Sequence, residues 1–457
     1  MRILFRILII AVFCLAVTLI YVSTTQRGLK LVWQNLEPLL PAGLSIESVE
    51  GRLTGPLAVR GLKFRSDDIK LALDYAELEW TLSRLLSGVL QLDRLILEDI
   101  HYISSEKASP EESEPMLIPE QFVLPIAVKL EQLTVRNFAF DTESGSEAFK
   151  IEQGEASLSY KDRVLELRHV SIRSKDFQIQ GSGGLETAGD YPLEGVLDWR
   201  LSPPDYAEIQ GRTTLSGDLH RLLVNLTFND AYPVTGTFIL TGLPDKPSLE
   251  TRLRIDGLRL KAVNNELPDV RIVADIRADG PLDALALSGS LDLDSEPLAT
   301  VHADVSATLS ATGVELELLQ LTSPAHQADV RISGPVEFEA DAIRFDLQAD
   351  WRRARWPLDD TAQLESPAGH LHVEGSLDNY LVDSQMTLSA PGYSGADLSL
   401  QGSGNQDALQ VSELVIKTLR GQLQGTAMIA WRPRLETSID LNGRSLDPGL
   451  IFAEWPG

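Results

Sequence analysis

The chain is nearly empty of cysteine: Cys14 is the only one in 457 residues. It can close no intramolecular disulfide and build no thiolate metal site, so packing and backbone pairing must hold the fold. Aromatic residues make up 6% and histidines number seven, which leaves little for stacking platforms or imidazole clusters. Positive charge is also scarce, with 40 Lys and Arg against 66 Asp and Glu and a net charge of −26. The deficit lies wholly beyond residue 103. Residues 1–103 hold 11 of each sign, whereas residues 104–457 hold 29 basic and 55 acidic side chains. Nucleic-acid phosphates would repel such a body, so no nucleic acid is expected as a partner. Its acidity instead keeps a long β-surface soluble.

Catalytic signatures are missing as well. No G-x-S-x-G elbow, Walker loop, H-E-x-x-H or complete G-x-G-x-x-G occurs. "GSGGLE" and "GSGNQD" lack the third glycine and the helix that such a loop would open. The nearest approach to a metal site is His370-Leu371-His372 with Glu374, three side chains on one side of a strand. Leu371, Val373, Gly375 and Leu377 take the opposite parity and form the apolar side, which places the histidines on a wet face. Asp292 and Asp294 resemble an acid–base pair, yet they follow from the polar parity of their strand, with no apolar pocket to separate their pKa values. "WRRARWP" (351–357) reads as a strand end with local ion pairs. We expect no catalytic residue, no metal and no cofactor.

What the sequence has in abundance is one-sided strand. In "LALSGSLDLD" (285–294), Leu285, Leu287, Gly289, Leu291 and Leu293 share one parity and polar residues or Ala286 the other. Variants of this pattern, separated by turns at 8–12-residue spacing, run from Leu44 to the end, which predicts about 25–28 strands. No helical pattern of ten or more residues follows residue 103, so a parallel α/β sheet is excluded and a meandering antiparallel sheet is expected. "SRLLSG" (83–88) suits one helical turn. Ile69, Leu71 and Leu73 share a parity, and Leu78, Trp80 and Leu82 resume it after a one-residue slip. The Ser-, Glu- and Pro-rich stretch 104–121 carries no periodicity and is expected to be a loop between the first strands (26–103) and the repetitive body (122–457).

The N-terminus has a different character. Arg2 and Arg6 precede an uncharged run whose apolar core is Ile7–Val22. Ile7, Leu8, Ile9, Ile10, Val12, Phe13, Leu15, Val17, Leu19, Ile20 and Val22 would face lipid or pack in an uncleaved signal anchor over residues 1–25. A cleaved signal is the competing reading, but no small-x-small site follows the run. The flanking arginines would keep the N-terminus in the cytoplasm and export the rest. Leu29, Val32, Trp33 and Leu36 then fall at helical spacing until Pro38 and Pro41. A short amphipathic helix is expected there, either at the membrane interface or capping the first strands.

The last hundred residues carry a resemblance. "GQLQGTAMIAWRP" (421–433), "LDPG" (446–449), "WPG" (455–457) and "RWPL" (355–358) resemble the repeat style of the TamB family of AsmA-like translocation and assembly proteins. The N-terminal anchor, helix and "VEGRLTGPLAVRGLKF" resemble that family's start. The resemblance implies an all-β, elongated, taco-like antiparallel groove, anchored by one pass in the bacterial inner membrane with its body in the periplasm. It implies an apolar lining that carries phospholipids, and a link to insertion of outer-membrane proteins with a TamA-like barrel. Family members are longer and end in a further domain, so this chain reads as an N-terminal portion.

Parity alone selects the expected lining: Ile69, Leu71, Leu73, Ile272, Ile276, Leu285, Leu287, Leu291, Leu293, Leu371, Val373, Leu377, Ile439 and Leu441. An apolar strip shields acyl chains at about 0.8 kcal/mol per CH₂ and needs no specific polar site. Two other readings remain open at this point. One is a scaffold or chaperone for nascent outer-membrane strands, pairing clients at strand edges. The other is a set of closed β-sandwiches with dry interiors.

Overall fold

A computed structural model of the chain describes residues 21, 23–36, 40–41, 43–66, 69–104, 121–142, 147–204, 206–229, 231–295, 300–339, 342–356, 363–391, 393–432, 434–447 and 450. The eleven anchor residues and nearly all of the 104–121 stretch lie outside these. Among the described residues no helix is long and apolar enough to cross a membrane. They form 26 strands, two short α-helices and one 3-10 turn, so the all-β expectation holds.

The expected amphipathic helix is α1 (Gln26–Leu36). Thr25 Oγ1 accepts the Gly28 N–H at 3.0 Å, satisfying one of the orphan donors of the first turn. Leu29 is 3% exposed, and the helix lies against β2 (Ser48–Gly51). Its apolar stripe therefore covers the first strands, which is the capping role. Leu31, on another side, stays exposed.

The chain divides into two units, Met1–Thr227 with Gly242–Asp245, and Phe228–Thr241 with Lys246–Gly457. Unit 1 begins with β1 (Leu44–Ser45) and β2, both paired to β3 (Leu57–Arg65). It continues through β4 (Ile69–Trp80), β5 (Val89–Ser104), β6 (Ala127–Thr142), β7 (Glu147–Lys161), β8 (Val164–Arg173), β9 (Phe177–Glu186), β10 (Leu193–Leu201) and β11 (Ile209–Gly217). A 3-10 turn, Leu82–Ser87, joins β4 to β5 where one helical turn is expected, and Gly88 closes it at φ 75°. β12 (Arg221–Phe228) follows.

Consecutive pairs from β3 to β11 are antiparallel with one exception. β5 and β6 run parallel, from Val89↔Ala127 to Ser104↔Thr142. This corrects the expectation of a purely antiparallel meander. The 22 residues between Ser104 and Ala127 can extend ~70 Å, more than the ~53 Å of a 16-residue strand. Length alone therefore permits the return that a parallel pair requires. The segment without periodicity separates the strands in sequence, while the strands themselves pair within one unit.

The slip in β4 has a structural cause. The register passes from Arg60↔Tyr75 to Leu62↔Leu73, from Tyr75↔Glu98 to Leu73↔Ile100, and from Glu98↔Arg136 to Ile100↔Phe138. Gly61, Asp99 and Asn137, skipped in three of these strands, have φ of 62°, 56° and 54°. A left-handed residue in β3, β5 and β6 reverses the pleat there, and β4 skips Asp74 in register with them without a positive φ, so an apolar series that steps by three keeps its face. Val59 to Leu62, Leu73 to Ala76, Leu97 to Ile100 and Val135 to Phe138 make that step side by side. Asn137 Nδ2 donates to Asp99 Oδ1 at 2.9 Å across the row.

Unit 2 contains β13 (Val234–Thr241), β14 (Ser248–Arg259), β15 (Val270–Pro281), β16 (Leu285–Ser295), β17 (Val301–Ser310), β18 (Gly313–Ser323) and β19 (Ala328–Phe338). β20 (Ile343–Trp356), β21 (Leu364–Ser376), β22 (Asn379–Ala390), β23 (Tyr393–Gly404), β24 (Ala408–Thr418), β25 (Gly421–Ala430) and β26 (Glu436–Arg444) complete it. Each strand pairs antiparallel with the next. The single helical turn α2 (Leu260–Val263) is the only interruption by helix among the described residues.

Candidate functional site

Directly opposed residues of paired strands share a face, so the ladder traces which side chains lie together. In unit 2 the trace starts at Leu253↔Ile276 and Leu258↔Ile272. It passes to Ile272↔Leu293, Ala274↔Leu291 and Ala278↔Leu287. β17 continues with Leu285↔Leu309, Gly289↔Val305 and Leu293↔Val301. Bulges at Ser306/Ala307 and Leu316/Leu319 absorb one-residue irregularities, and Leu321↔Val330 keeps the face. Val330↔Trp351, Ala349↔Leu371, Leu347↔Val373 and Val373↔Val382 carry it to β22. Leu400↔Leu414, Ile416↔Leu423 and Ala427↔Ile439 carry it to β26. One apolar face therefore runs unbroken through the strands of unit 2.

The face is apolar without being buried. Among the described residues of unit 2, six of the nine buried apolar residues are alanines, including Ala274, Ala303 and Ala307. Alanines vanish beneath taller neighbours in the same layer, whereas the leucines that flank them keep part of their surface in contact with solvent. Phe338 and Ile343, opposed on this face, are 48% and 45% exposed. Among the described residues a compact cluster forms around Val411, Leu414 and Ala427, with Leu398, Leu400, Leu409, Ile416 and Leu441 against it. Contiguous apolar surfaces of this kind are characteristic of interaction sites and ligand-binding grooves.

Large aromatic side chains lie flat on it. A methyl group at Gly369 would fall 2.1 Å from Trp351 Cζ2, and one at Gly404 2.5 Å from the Tyr380 ring. The Trp351 indole therefore rests over the bare backbone of β21, with its Nε1–H donated to Ser366 Oγ at 2.8 Å. Unit 1 repeats the device: Trp199 covers Gly211 and donates to Thr213 Oγ1 at 3.0 Å. A ring held flat buries its polar N–H and keeps the face level. Ser384, the most buried polar residue, stands on the same face and donates to the His370 carbonyl at 2.8 Å.

In unit 1 the apolar rows follow the same logic on either side of the reversal. Leu78 opposes Leu95, Leu95 opposes Leu133, and Leu71 opposes Tyr102. Tyr102 stacks on Phe140 at 5.5 Å and Phe149 on Phe177 at 5.3 Å.

The opposite face carries cross-strand polar pairs. Arg212 grips Asp198 through two hydrogen bonds of 2.6 and 3.0 Å, and Arg252 grips Asp275 in the same bidentate way. The guanidinium hydrogen bonds hold both carboxyls below the usual carboxylate range. His302 sits between Asp292, at 2.5 Å, and Asp304, at 3.2 Å. The Asp292 hydrogen bond above all lifts its pKa. His370 bonds Asp350 at 2.9 Å and His372 bonds Asp346 at 2.6 Å. Asp346, His372 and Glu374 come close enough to share an ion, but all three stand on this solvated face, as parity predicts. Arg355 meets Glu365 and His326, the local pairing expected of "WRRARWP".

Of the fourteen expected lining residues, Ile272, Ile276, Leu285, Leu287, Leu291, Leu293, Leu371, Val373, Ile439 and Leu441 fall on the single face of unit 2. Ile69, Leu71 and Leu73 fall on the corresponding face of unit 1. Leu377 does not belong with them: it lies in the turn after β21 and is 51% exposed. The strand ends at Ser376, so parity has no meaning one residue later. Ile439 keeps its place on the face at 57% exposure, because β26 has one described neighbour only. A methyl added at Gly289, on the same parity, would fall 3.0 Å from Ile276 Cα and 3.2 Å from its Cγ1, so Ile276 fills the space beside the glycine. Sequence reasoning missed the alanine floor and the tryptophan–glycine pairs. Their one signal is a glycine on the apolar parity of the strand after a tryptophan.

No solved structure matches the chain. The family model described as TamB, N-terminal domain, matches residues 14–116, 104–338 and 325–457. Those matches cover the described strands of both units, and the chain belongs to the TamB family.

Proposed function

We propose that the protein is a bridge that carries phospholipids toward the outer membrane, with acyl chains lying along the apolar face. On this reading the apolar face of each unit lines a groove, residues 7–22 hold the chain in the bacterial inner membrane, and the body stands in the periplasm. The observation that carries the proposal is the face itself: apolar through consecutive strands and half-exposed, with the polar groups described on it, Ser384 Oγ and Trp351 Nε1, bonded within the protein. Each methylene that leaves water against it contributes about 0.8 kcal/mol or less, and headgroups keep their hydration at the open side. An outer-membrane barrel of the kind the family works with would receive the cargo.

Photo-crosslinkers at Ile272, Ile276, Leu285 or Leu291 should capture phospholipid, and those at Ser288 or Asp292 should not. Equal labelling on both parities would sink the proposal. Crosslinks to polypeptide from strand edges, with the face silent, would instead favour a scaffold for outer-membrane strands. Absence of co-purifying lipid from the full chain would favour dry sandwiches.

A further inference from the structure

One end of the unit 1 sheet has an unusual surface. The 3-10 turn Leu82–Ser87 projects Leu86 with 95% of its surface exposed, beside Leu85 at 40%. Residues 121–126 (QFVLPI), which lead into β6, add Phe122, Val123 and Ile126, all exposed. The two segments adjoin, because the Ala127 N–H donates to the Gly88 carbonyl at 3.0 Å. Gly88, Val123, Ile126, Lys161 and Arg163 line one hollow.

These side chains are held outward. The buried Tyr160 hydroxyl donates to the Phe122 carbonyl at 3.0 Å and accepts the Leu124 N–H at 3.2 Å. Thr187 Oγ1 donates to the same carbonyl at 2.6 Å, and the Phe122 N–H donates to the Thr187 carbonyl at 2.8 Å. A fixed backbone that displays large apolar side chains to water loses free energy unless something apolar covers them.

The position of the chain's entry identifies the cover. Thr54, in the turn before β3, donates both its N–H and its hydroxyl to the Ser23 carbonyl at 3.0 Å. β3 starts, β4 ends, and β5 and β6 start at that same end. The first residue after the apolar run Ile7–Val22 is therefore tied to the end that displays Leu86 and Phe122. Its turns carry Arg52, Arg84, Lys161 and Arg163, with Asp162, Asp190 and Asp218 among them. Apolar tips with arginines beside them suit a bilayer surface, where leucine and phenylalanine enter the acyl region and arginine meets phosphate.

We propose that this end of unit 1 docks on the membrane, with Leu85, Leu86, Phe122 and Val123 seated among the lipid headgroups and upper acyl carbons. The inference rests on the reading of residues 7–22 as a membrane anchor and adds a second, peripheral attachment. Two attachments on one edge would fix the tilt of the first strands against the bilayer, so that lipid leaving the leaflet meets the apolar face directly.

The test uses the full chain in vesicles of phosphatidylethanolamine and phosphatidylglycerol. An environment-sensitive fluorophore is placed at Leu86→Cys, or at Lys175→Cys on the opposite end of the sheet, each with Cys14→Ser. Nitroxide on the upper acyl carbons should quench the label at 86 several-fold more than at 175, and aqueous iodide should show the reverse preference. Equal iodide quenching at both positions overturns the proposal. Shielding from iodide without nitroxide quenching also overturns it, because a protein would then be the cover. Cys14 of the unmodified chain is probed in parallel with a membrane-impermeant maleimide. If Cys14 is protected while position 86 is wet, the docking fails and the anchor stands; if Cys14 reacts, the anchor reading itself fails.

Discussion

Replacing Leu291 by aspartate puts the apolar face to a direct test. Leu291 stands between Ala274 and Ala303, which are 3% and 6% exposed, so it forms the upper surface of the lining there. The position is half-buried, and a carboxylate keeps part of its water, so the fold should lose only about 1 kcal/mol. A bound acyl chain loses more. A hydrated carboxylate keeps about three methylenes off the face, each worth about 0.8 kcal/mol, for a total near 2.4 kcal/mol or roughly fiftyfold in local occupancy. Ser288→Asp is the matched control: it lies on the same strand, on the polar face, opposite Arg277. The assay compares lipid crosslinking from a photoreactive group at Val305, together with phospholipid per protein by mass spectrometry. Leu291→Asp should lose most of the crosslink and Ser288→Asp none. Equal retention, or equal loss, in the two variants would refute the assignment of lipid to this face.

Four further outcomes follow from local geometry. Gly369→Ala forces the Trp351 indole off the backbone and breaks its bond to Ser366, which should cost about 1–3 kcal/mol and shift the tryptophan emission. Gly184→Ala, whose added methyl meets nothing closer than 4.0 Å, should leave the urea midpoint nearly unchanged. Asn137→Val places a β-branched residue at φ 54° and should destabilise unit 1 by about 1–2 kcal/mol, while Asn137→Gly should be tolerated. His302 has a folded pKa above its usual value, so its stabilising contribution is fully present below about pH 6.5 and fades as pH rises through the raised value. The melting temperature of the wild type should therefore exceed that of His302→Gln at pH 6 by more than at pH 8. Because His302 remains 37% exposed, solvent screening keeps that difference small.

Strand number, strand parity, α1 and the helical turn after β4 were all legible in the sequence, because each rests on local periodicity. The parallel pairing of β5 with β6 was not. It depends on what lies between them, and a stretch without periodicity leaves no trace of where it delivers the chain. The slip in β4 was visible, but its cause was not. Gly61 alone is a plausible left-handed residue by composition, whereas Asp99 and Asn137 take that conformation side by side in register, which no local pattern announces. Leu377 shows the reverse failure, where a periodic pattern outlasts the strand that gives it meaning.

The two faces also divide the labour of folding. A one-residue slip between strands would move every leucine to the solvent side, so register must be fixed somewhere. The polar face supplies the directional pairs: Arg212 with Asp198, Arg252 with Asp275, and His302 between Asp292 and Asp304. Guanidinium–carboxylate forks fit one partner spacing only, whereas a leucine accepts many neighbours. With register set from the outside, the apolar face is not obliged to interlock with a second layer. It needs only to stay level and greasy, which alanines beneath leucines and tryptophans flat on glycines accomplish. A surface built to that rule grips no single cargo and lets an apolar chain slide. On the proposed reading, a site with one tight pocket would hold a lipid in place, whereas a row of equivalent strands would let it move on.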